Sequence, residues 1–298
     1  MSPIVRPARA DELQDVQELI VGSINDLTKR HGFGAMASVR PAAFQLFCHK
    51  DDPGGFWIAE EHGKLLGAAF SWACGDLWFL AELFVAPGVQ GGGIGREMLR
   101  RALGHAERVG ATTRALITFT FNTVSQGLYM RHGLYPRLPL YMVSADRADL
   151  HLPRADPGIA TLRASEADIA TLAAFDVSAL GVARERHHRF LLGEPTMQCL
   201  LFHDGGACVG YGYVAASGHV GPLVVTRTEL MAAALRSALA HAADTGAGQV
   251  SAFVPGNSEA ALAVVAEQRM RIAFPMVLVS NRAFGDWTRY LPRNPGFM

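Results

Sequence analysis

The sequence has little charge of either sign and no net charge. Of its 298 residues, 18% are charged, and 27 Lys and Arg balance 27 Asp and Glu. A chain with equal numbers of positive and negative charges has no net electrostatic attraction to nucleic acid or to an anionic membrane, so we expect neither as a partner. Half of the residues are apolar, which is typical of a folded globular protein.

Cysteine is scarce, and long hydrophobic runs are absent. The four cysteines form no CxxC pair and do not combine with histidine at zinc spacing, so we expect reduced thiols and no metal. His187 and His188 are neighbours that do not face one another on a helix, which argues against a metal site there. The most apolar region, residues 65–89, is interrupted by Asp76 and Glu82, and the first residues carry charges where a signal peptide is apolar. These absences predict a cytoplasmic protein.

A chain of this length has room for two domains, and an internal repeat supports that division. Three blocks recur in the same order: VRPARAD at 5–11 with LRASEAD at 162–168, IAEEHGKLLGAAF at 58–70 with LFHDGGACVGYGY at 201–213, and LRRALGHAERVGA at 99–111 with LRSALAHAADTGA at 235–247. The blocks predict a strand leading into a helix, a hairpin turned at glycine and an amphipathic helix ending at glycine. We therefore expect two related domains of mixed α/β (α+β) class, each a mostly antiparallel mixed sheet flanked by helices.

The predicted domains are residues 1–145 and 158–298. Residues 146–157 between them contain turns rich in Asp and Pro and predict a linker. The second domain ends in an aromatic tail, residues 282–298, which can pack on its own domain or on a second subunit of a homodimer. The aromatic residues of this tail are Phe284, Trp287, Tyr290 and Phe297.

A glycine cluster follows an apolar segment in LWFLAELFVAPGVQGGGIGREM, residues 77–98. Consecutive backbone N–H groups at a helix N-terminus bind phosphate, and glycines let the phosphate approach without a Cβ clash. Gly91, Gly92, Gly93 and Gly95 supply this bare backbone, and Arg96 adds a cation. A glycine-rich turn without a ligand is the alternative. The segment has neither G-x-G-x-x-G nor Gly-Lys-Ser/Thr, so it predicts neither a Rossmann site nor a P-loop.

Two motifs give the chain a resemblance to a known family. Gln90, Gly93 and Gly95 resemble the Gln/Arg-x-x-Gly-x-Gly/Ala signature of the GNAT superfamily of acyl-coenzyme A-dependent N-acetyltransferases. NTVSQGLYMRHG, residues 122–133, resembles the family's later N-x-x-(S/A)-x-x-(L/F)-Y-x-(R/K)-x-G stretch. Residues 3–145 fit the family's element order, and the second half is similar more faintly. The resemblance implies two GNAT-like domains and acetyl-coenzyme A as the cosubstrate.

The resemblance also implies where the cosubstrate binds. Its pyrophosphate lies on the glycine loop, and its pantetheine arm pairs with backbone near Phe84 and Val85 on the fourth strand. Asn122 and Ser125 resemble positions that contact the pantetheine or phosphate region, although either residue can instead cap a helix. The residues of the glycine loop are Gln90, Gly91, Gly92, Gly93, Ile94, Gly95 and Arg96.

The chemistry of acyl transfer indicates which catalytic groups the site needs. Attack of an amine on a thioester forms a tetrahedral oxyanion and expels a thiolate, so the site needs an N–H donor and an acid. Val85 N–H and Tyr129 O–H are the candidates, with a core tyrosine as the alternative for Tyr129. Glu82 lies in an apolar strand, where a carboxylate is costly without a partner or a task. It is either the base or water relay that deprotonates the amine, or a structural or substrate-orienting group.

The second copy lacks these groups, so we expect it to bind no coenzyme and instead to wall the acceptor site or mediate association. Residues 31–38, HGFGAMAS, are either a mobile substrate loop or an ordinary connection. At aligned positions Thr226 replaces Gln90, Arg227 replaces Gly91, Glu229 replaces Gly93, Met231 replaces Gly95 and Val264 replaces Tyr129.

The leading hypothesis is an N-acetyltransferase that moves an acetyl group to a primary amine of an unidentified small molecule or protein by direct attack. One alternative is a non-catalytic acyl-coenzyme A sensor or scaffold, and another is a transferase of a different acyl group, such as succinyl or propionyl. The neutral composition does not choose among a polyamine, an aminoglycoside, an amino acid and a protein lysine as acceptor.

Overall fold

The computed structural model describes residues 3–152 and 158–298. Its contacts divide the chain into two compact units. Unit 1 comprises Met1–Tyr135 and Val279–Arg282, and unit 2 comprises Pro136–Leu278 and Ala283–Met298. Residues 153–157, part of the predicted linker, lie outside the described residues.

Unit 1 is a sheet with helices packed on it. In chain order its elements are β1 (Ile4–Pro7), α1 (Leu13–Arg30), α2 (Ala43–Asp51), β2 (Phe56–Glu61), β3 (Lys64–Cys74), β4 (Leu77–Val85), α3 (Ile94–Arg108), β5 (Thr113–Phe119) and α4 (Thr123–Met130). The strands follow the order β1-β2-β3-β4-β5, antiparallel except where β5 pairs in parallel with β4. Helices α1 and α3 both pack against β3 and β4. Residues 77–81 of β4 are all buried, as expected for a strand covered on both faces.

Unit 2 repeats this element order. Its elements are β6 (Tyr135–Asp146), β7 (Ala160–Arg163), α5 (Ile169–Leu180), α6 (Glu185–Gly193), β8 (Met197–Asp204), β9 (Ala207–Ala215), β10 (His219–Val225), α7 (Met231–Asp244), β11 (Gln249–Pro255), α8 (Glu259–Glu267), β12 (Arg271–Ser280) and β13 (Tyr290–Leu291). Within this unit the strands follow the order β12-β6-β11-β10-β9-β8-β7, and β13 pairs with β10. From β7 to β12 the succession of strands and helices is that of β1 to β6, which confirms the predicted fold class of two mixed α/β copies.

The final strands of the two copies change places between the units. β6 belongs to the first copy by sequence, yet it lies in unit 2, where it pairs antiparallel with β11. Residues 279–282 belong to the second copy and lie in unit 1. There the Asn281 side chain accepts from Arg114 N–H at 2.8 Å and donates to Thr112 O at 2.9 Å. The predicted domain end at residue 145 therefore describes the repeat, whereas the compact units divide after Tyr135.

The aromatic tail packs on the body of unit 2. Trp287, Tyr290 and Phe297 are all buried, and β13 pairs with β10 through Tyr290 and Leu291. The ring of Phe297 lies edge-on to His187, with centroids 4.9 Å apart. Packing on its own unit was one of the two arrangements expected for this tail.

A buried ionic cluster joins α5, α6 and β9 in unit 2. Asp176 accepts hydrogen bonds from Arg184 Nε at 2.8 Å and from Arg184 Nη2 at 3.0 Å, and His188 Nε2 lies 3.0 Å from the same carboxylate. The Tyr211 hydroxyl donates to it as well. Burial alone would raise the pKa of Asp176, but attraction to Arg184 and His188, with their hydrogen bonds, lowers the pKa below its usual range.

Among residues 3–152 and 158–298, no helix combines the length and the hydrophobicity of a transmembrane segment. His, Cys, Asp and Glu side chains in these residues do not gather in a group of three that could hold a metal ion.

We predict that Asp176→Asn destabilises the protein by about 3–5 kcal/mol, because it leaves the buried Arg184 without its counter-charge. Equilibrium unfolding in urea at pH 7 measures the change. Asp204→Asn is the matched control. The side chains of Asp204 and Arg227, which form an ion pair, are 40% and 61% exposed, and such exposed pairs contribute about 0–1 kcal/mol to stability. Equal losses in the two variants would contradict a structural role for the buried cluster.

Candidate active site

A gap opens in the sheet of unit 1 where β4 and β5 part. The parallel pairing of the two strands ends at Leu80 and Leu116, whereas β4 continues to Val85. The second half of β4 keeps its pairing with β3 on its other side. Backbone groups of this half therefore face a space between the strands and not a neighbouring strand.

A β-bulge lies at the point where the strands part. Phe70 of β3 pairs with Glu82, but the next residue, Ser71, pairs with Leu80, so Ala81 is an extra residue on β4. A bulge bends the strand that carries it and increases the local twist. The bulge thus directs residues 82–85 away from β5.

The hydrogen-bond pattern shows which way Val85 points. Ala86 N–H donates to Leu66 O at 2.8 Å, and hydrogen-bonded pairs alternate with non-bonded pairs along an antiparallel ladder. Gly67 and Val85 therefore form a non-bonded pair, and the N–H and C=O groups of Val85 point away from β3 into the gap. Gln90 Nε2 donates to this carbonyl at 3.0 Å, which ties the glycine loop to the strand.

The glycine loop leads from β4 into α3. Gly91 and Gly93 have φ angles of +89° and +88°, a region that favours glycine, and Gly93 is the N-cap of α3. The Glu97 N–H donates to Gly93 O at 3.1 Å and forms the first bond of the helix. The amides of residues 94–96 precede that bond, so they have no carbonyl within the helix to bind. Such amides at a positive helix end suit a phosphate.

A cavity of about 400 Å³ adjoins both the gap and the loop. Its walls come from α1, from residues 83–85 of β4, from the glycine loop and from the start of α4. Of the predicted binding residues, it is lined by Phe84, Val85, Gln90, Gly91, Ile94, Gly95, Asn122 and Ser125. The structure thus brings together residues from two motifs that are separated in the sequence.

The other predicted residues lie around this cavity. Gly92, Gly93 and Arg96 line a second concavity of about 430 Å³, together with Arg100 and His132. Ile94 contributes to both, so the glycine loop lies between them. Arg96 was predicted to add a cation to the cradle, and the structure places it with the second concavity.

Asn122 caps a helix and also lines the cavity. Its side-chain oxygen accepts from Ser125 N–H at 3.3 Å, so it caps α4, and both residues line the cavity. The cap fixes the start of α4 beside the glycine loop.

Glu82 has neutral hydrogen-bond partners. Gln45 Nε2 lies 3.1 Å from Glu82 Oε1 and 3.4 Å from Oε2, and it also lies 3.1 Å from Gln17 Oε1. Desolvation raises the pKa of Glu82 to about 7, although the hydrogen bond from Gln45 opposes the rise. A carboxyl group with this pKa can take up or release a proton near neutral pH.

Tyr129 is buried on α4, one residue beyond Leu128 of the cavity wall. Burial raises its pKa above the ordinary value of a tyrosine. The hydroxyl therefore keeps its proton at neutral pH and can act as a donor. Neither Tyr129 nor Glu82 is part of the cavity lining itself.

One wall of the cavity was not predicted from the sequence. Ser23, Leu27 and Arg30 of α1, followed by His31, line the side of the cavity that α1 provides. The first three have the i, i+4, i+7 spacing of one helix face, which is the only signal that could have found them. The same spacing occurs on any amphipathic helix, so it does not by itself indicate a ligand.

Residues 31–38 are anchored to α1. Asn25 Oδ1 accepts from the N–H groups of Met36 and Ala37, both at 2.8 Å, and Asn25 Nδ2 donates to Ala37 O at 2.9 Å. Phe33 stacks on Phe121, with ring centroids 4.8 Å apart, and Phe121 lines the cavity. The segment therefore has specific contacts beside the candidate site.

The corresponding part of unit 2 has a different construction. β10 ends at Val225, and the chain enters α7 through residues 226–230, against residues 86–93 in unit 1. Arg289 Nη1 donates to Thr226 O at 2.8 Å, and Val264 is fully buried among apolar side chains. Thr226 and Val264, which align with Gln90 and Tyr129, therefore have structural contacts within unit 2.

The match to a known family falls within unit 1. The model of the acetyltransferase (GNAT) family matches residues 24–134. A mycothiol acetyltransferase of Streptomyces avermitilis is 35% identical over 89 residues, which are 28% of this chain. The match spans about a quarter of that relative, 27% of its length.

Solved structures are similar over nearly the whole chain. A putative acetyltransferase from Pyrococcus horikoshii has a TM-score of 0.78 at 17% identity and covers 100% of this chain and 96% of its own. A tandem GNAT protein from the clavulanic acid biosynthesis pathway has a TM-score of 0.61 at 16% identity. The match covers 93% of this chain and 98% of that protein. At these identities the likeness shows the fold.

We predict that Glu82→Gln changes how stability depends on pH. Because the folded-state pKa of about 7 exceeds the unfolded value of about 4.3, the contribution of Glu82 to wild-type stability should fall as pH rises from about 4 to 7 and then level off. The decline should be about 1–3 kcal/mol, since Glu82 is partly exposed to solvent. Urea unfolding at several pH values measures it, and Glu82→Gln should lack it.

Glu107→Gln provides the control for this prediction. Glu107 is on α3 and its side chain is 67% exposed, so its removal should leave the pH dependence of the wild type in place. A Glu82→Gln variant with the wild-type decline would mean that Glu82 is not the group with the raised pKa.

Proposed function

We propose that this chain, whose residues 24–134 match the model of the acetyltransferase (GNAT) family, transfers an acetyl group from acetyl-coenzyme A to a primary amine. One observation carries the proposal: the gap beside β4, the cavity and the amides at the start of α3 are contiguous. This arrangement offers an extended site for a ligand that has a thioester at one end and a diphosphate at the other. The second copy is proposed to bind no coenzyme.

The residues present fit such a ligand. The amides of residues 94–96 and the positive end of α3 suit the diphosphate. Backbone groups of β4 that face the gap can pair with the amide groups of a pantetheine arm, as a neighbouring strand would. The cavity is lined mostly by apolar side chains such as Leu83, Val85 and Leu128, which suit the methylene groups of the arm.

The proposed mechanism assigns one step to each of three groups. Glu82, directly or through a water molecule, accepts a proton from the neutral amine as its nitrogen forms the new C–N bond. Val85 N–H donates a hydrogen bond to the carbonyl oxygen as it becomes negative. Tyr129 gives its proton to the sulfur when the C–S bond breaks. Solvent then carries the proton from Glu82 back to Tyr129, so the cycle is balanced.

One experiment can identify both the acceptor amine and the acyl group. Acetyl is proposed because the matching family is one of acetyltransferases, with succinyl and propionyl as the alternatives. Unit 2 is proposed to wall the acceptor site or to mediate association, for example in a homodimer. A panel of amines with acetyl-, propionyl- and succinyl-coenzyme A, followed by thiol release, identifies both substrates. Glucosamine, a polyamine, an aminoglycoside, an amino acid and a lysine peptide span the chemistry of acceptors.

The same panel separates an enzyme from a sensor. An enzyme releases free thiol with at least one amine at a rate above hydrolysis. A chain that binds acyl-coenzyme A tightly but releases thiol with no amine of the panel would instead be a binding protein, and the proposed activity would be wrong.

We predict that kcat/KM for the amine rises with pH through an apparent pKa near 7, because protonated Glu82 cannot accept a proton and its pKa is about 7. Glu82→Gln should remove this step from the profile and reduce kcat by about 100-fold, the lower range for general base catalysis. Steady-state kinetics from pH 5.5 to 9 test both effects. Persistence of the step in Glu82→Gln would assign it to another group.

We predict that Tyr129→Phe lowers kcat by about 100-fold and leaves the Kd for coenzyme A within about twofold, because the lost proton donor acts in the transition state. Turnover and calorimetric titration measure the two quantities. Tyr135→Phe is the control, since Tyr135 is 50% exposed and outside the cavity lining. Equal turnover of Tyr129→Phe and wild type would exclude Tyr129 as the acid.

A further inference from the structure

Among the described residues that line the cavity of unit 1, one buried hydroxyl group has no partner. Ser23 of α1 lines the cavity and is 4% exposed. Its Oγ is shielded from solvent and forms no hydrogen bond with the described residues. A helical serine commonly bonds to the carbonyl four residues earlier, and Ser23 does not. A buried hydroxyl in this state costs free energy unless something supplies a partner.

The cavity-facing side of α1 changes character along its length. Ser23 is at the buried end, Leu27 lies one turn on, and Arg30 at the outer end has a side chain that is 53% exposed. Arg30 already pairs with Asp26 at 2.8 Å. The unpartnered hydroxyl therefore lies in the enclosed part of the cavity, far along the helix from its charged rim.

The surroundings of Ser23 indicate the chemistry of its partner. The opposite walls include Leu83, Phe84 and Val85 of β4 and Leu128 of α4. The cavity lining also includes the polar residues Arg30, His31, Gln90, Asn122, Thr123 and Ser125. The buried Ser23 hydroxyl itself is neutral and offers no compensation for a charged ligand group. It does suit a neutral hydrogen-bond acceptor carried on an otherwise apolar chain.

We propose that the Ser23 hydroxyl donates a hydrogen bond to a carbonyl oxygen on the pantetheine arm of the acyl donor. The inference rests on the proposed function, because it takes the donor's arm as the occupant of the cavity. Ser23 and β4 then bind the arm from two sides: the strand through its backbone groups, and α1 through this one side chain. The hydroxyl gains its missing partner only when the donor is bound.

This assignment predicts opposite effects on the free and the bound protein. Ser23→Ala should weaken coenzyme A binding about five- to tenfold, the effect of one neutral hydrogen bond. The same variant should be at least as stable as the wild type without ligand, because the hydroxyl that it removes has no partner there. A serine that merely stabilised the fold would lower the melting temperature on replacement.

The experiment titrates the full-length chain with coenzyme A and with acetyl-coenzyme A by calorimetry, and melts the ligand-free protein. Weaker binding of both ligands by Ser23→Ala places the bond on an amide carbonyl of the arm. Weaker binding of acetyl-coenzyme A alone would place the bond on the thioester carbonyl and not on the arm, which would overturn the inference. Ser217→Ala, an exposed serine of unit 2, should match the wild type in every measurement.

Three further results would overturn the inference. The first is a Kd for both ligands within twofold of wild type in Ser23→Ala. The second is an unchanged donor Kd with a raised KM for the amine, which would make Ser23 an acceptor contact. The third is a wild-type chain that binds neither ligand, which would remove the proposed function as well. The first two results leave the proposed function intact.

Discussion

The bulge at Ala81 is the constraint on which the site depends. A sheet strand normally satisfies its backbone groups on both edges, and β4 does so as far as Leu80. The extra residue bends the strand, so its last residues keep β3 as a partner and lose β5. The unpaired edge is then flanked by the glycine loop on one side and by α4 on the other. One extra residue thus leaves a groove beside β4, with unpaired backbone groups along one edge of the strand.

The chemistry of Glu82 follows from the helices that cover this half of the strand. Gln45 of α2 donates to the carboxyl group and also to Gln17 of α1, and no cation among the described residues pairs with Glu82. An arginine in their place would have held the pKa low, and a dry apolar pocket would have kept the group protonated. Neutral amides leave desolvation as the dominant effect, and the pKa comes to about 7.

Motifs with a local cause could be predicted from the sequence, and features with a distant cause could not. The repeat gave the order of strands and helices because each block carries its own turn and cap residues. The glycine loop was visible because Gly91 and Gly93 need positive φ angles that few other residues adopt. The wall from α1 was not predicted, since Ser23 and Leu27 have the spacing of any buried helix face. The exchange of β6 and the end of β12 also left no local signal, because a strand's pattern of side chains does not name its partner.

That exchange has a consequence for how the protein is made. A ribosome delivers the first copy as far as Asp146 before any residue of β11 exists, so β6 emerges with no strand of its own unit to pair with. Unit 1 in turn receives Asn281 only when nearly all of the chain has been synthesised. Domain-by-domain folding during translation is therefore incomplete for both units until the last strands arrive. The gene encodes two copies in tandem, but each compact unit is finished only by residues from the other copy.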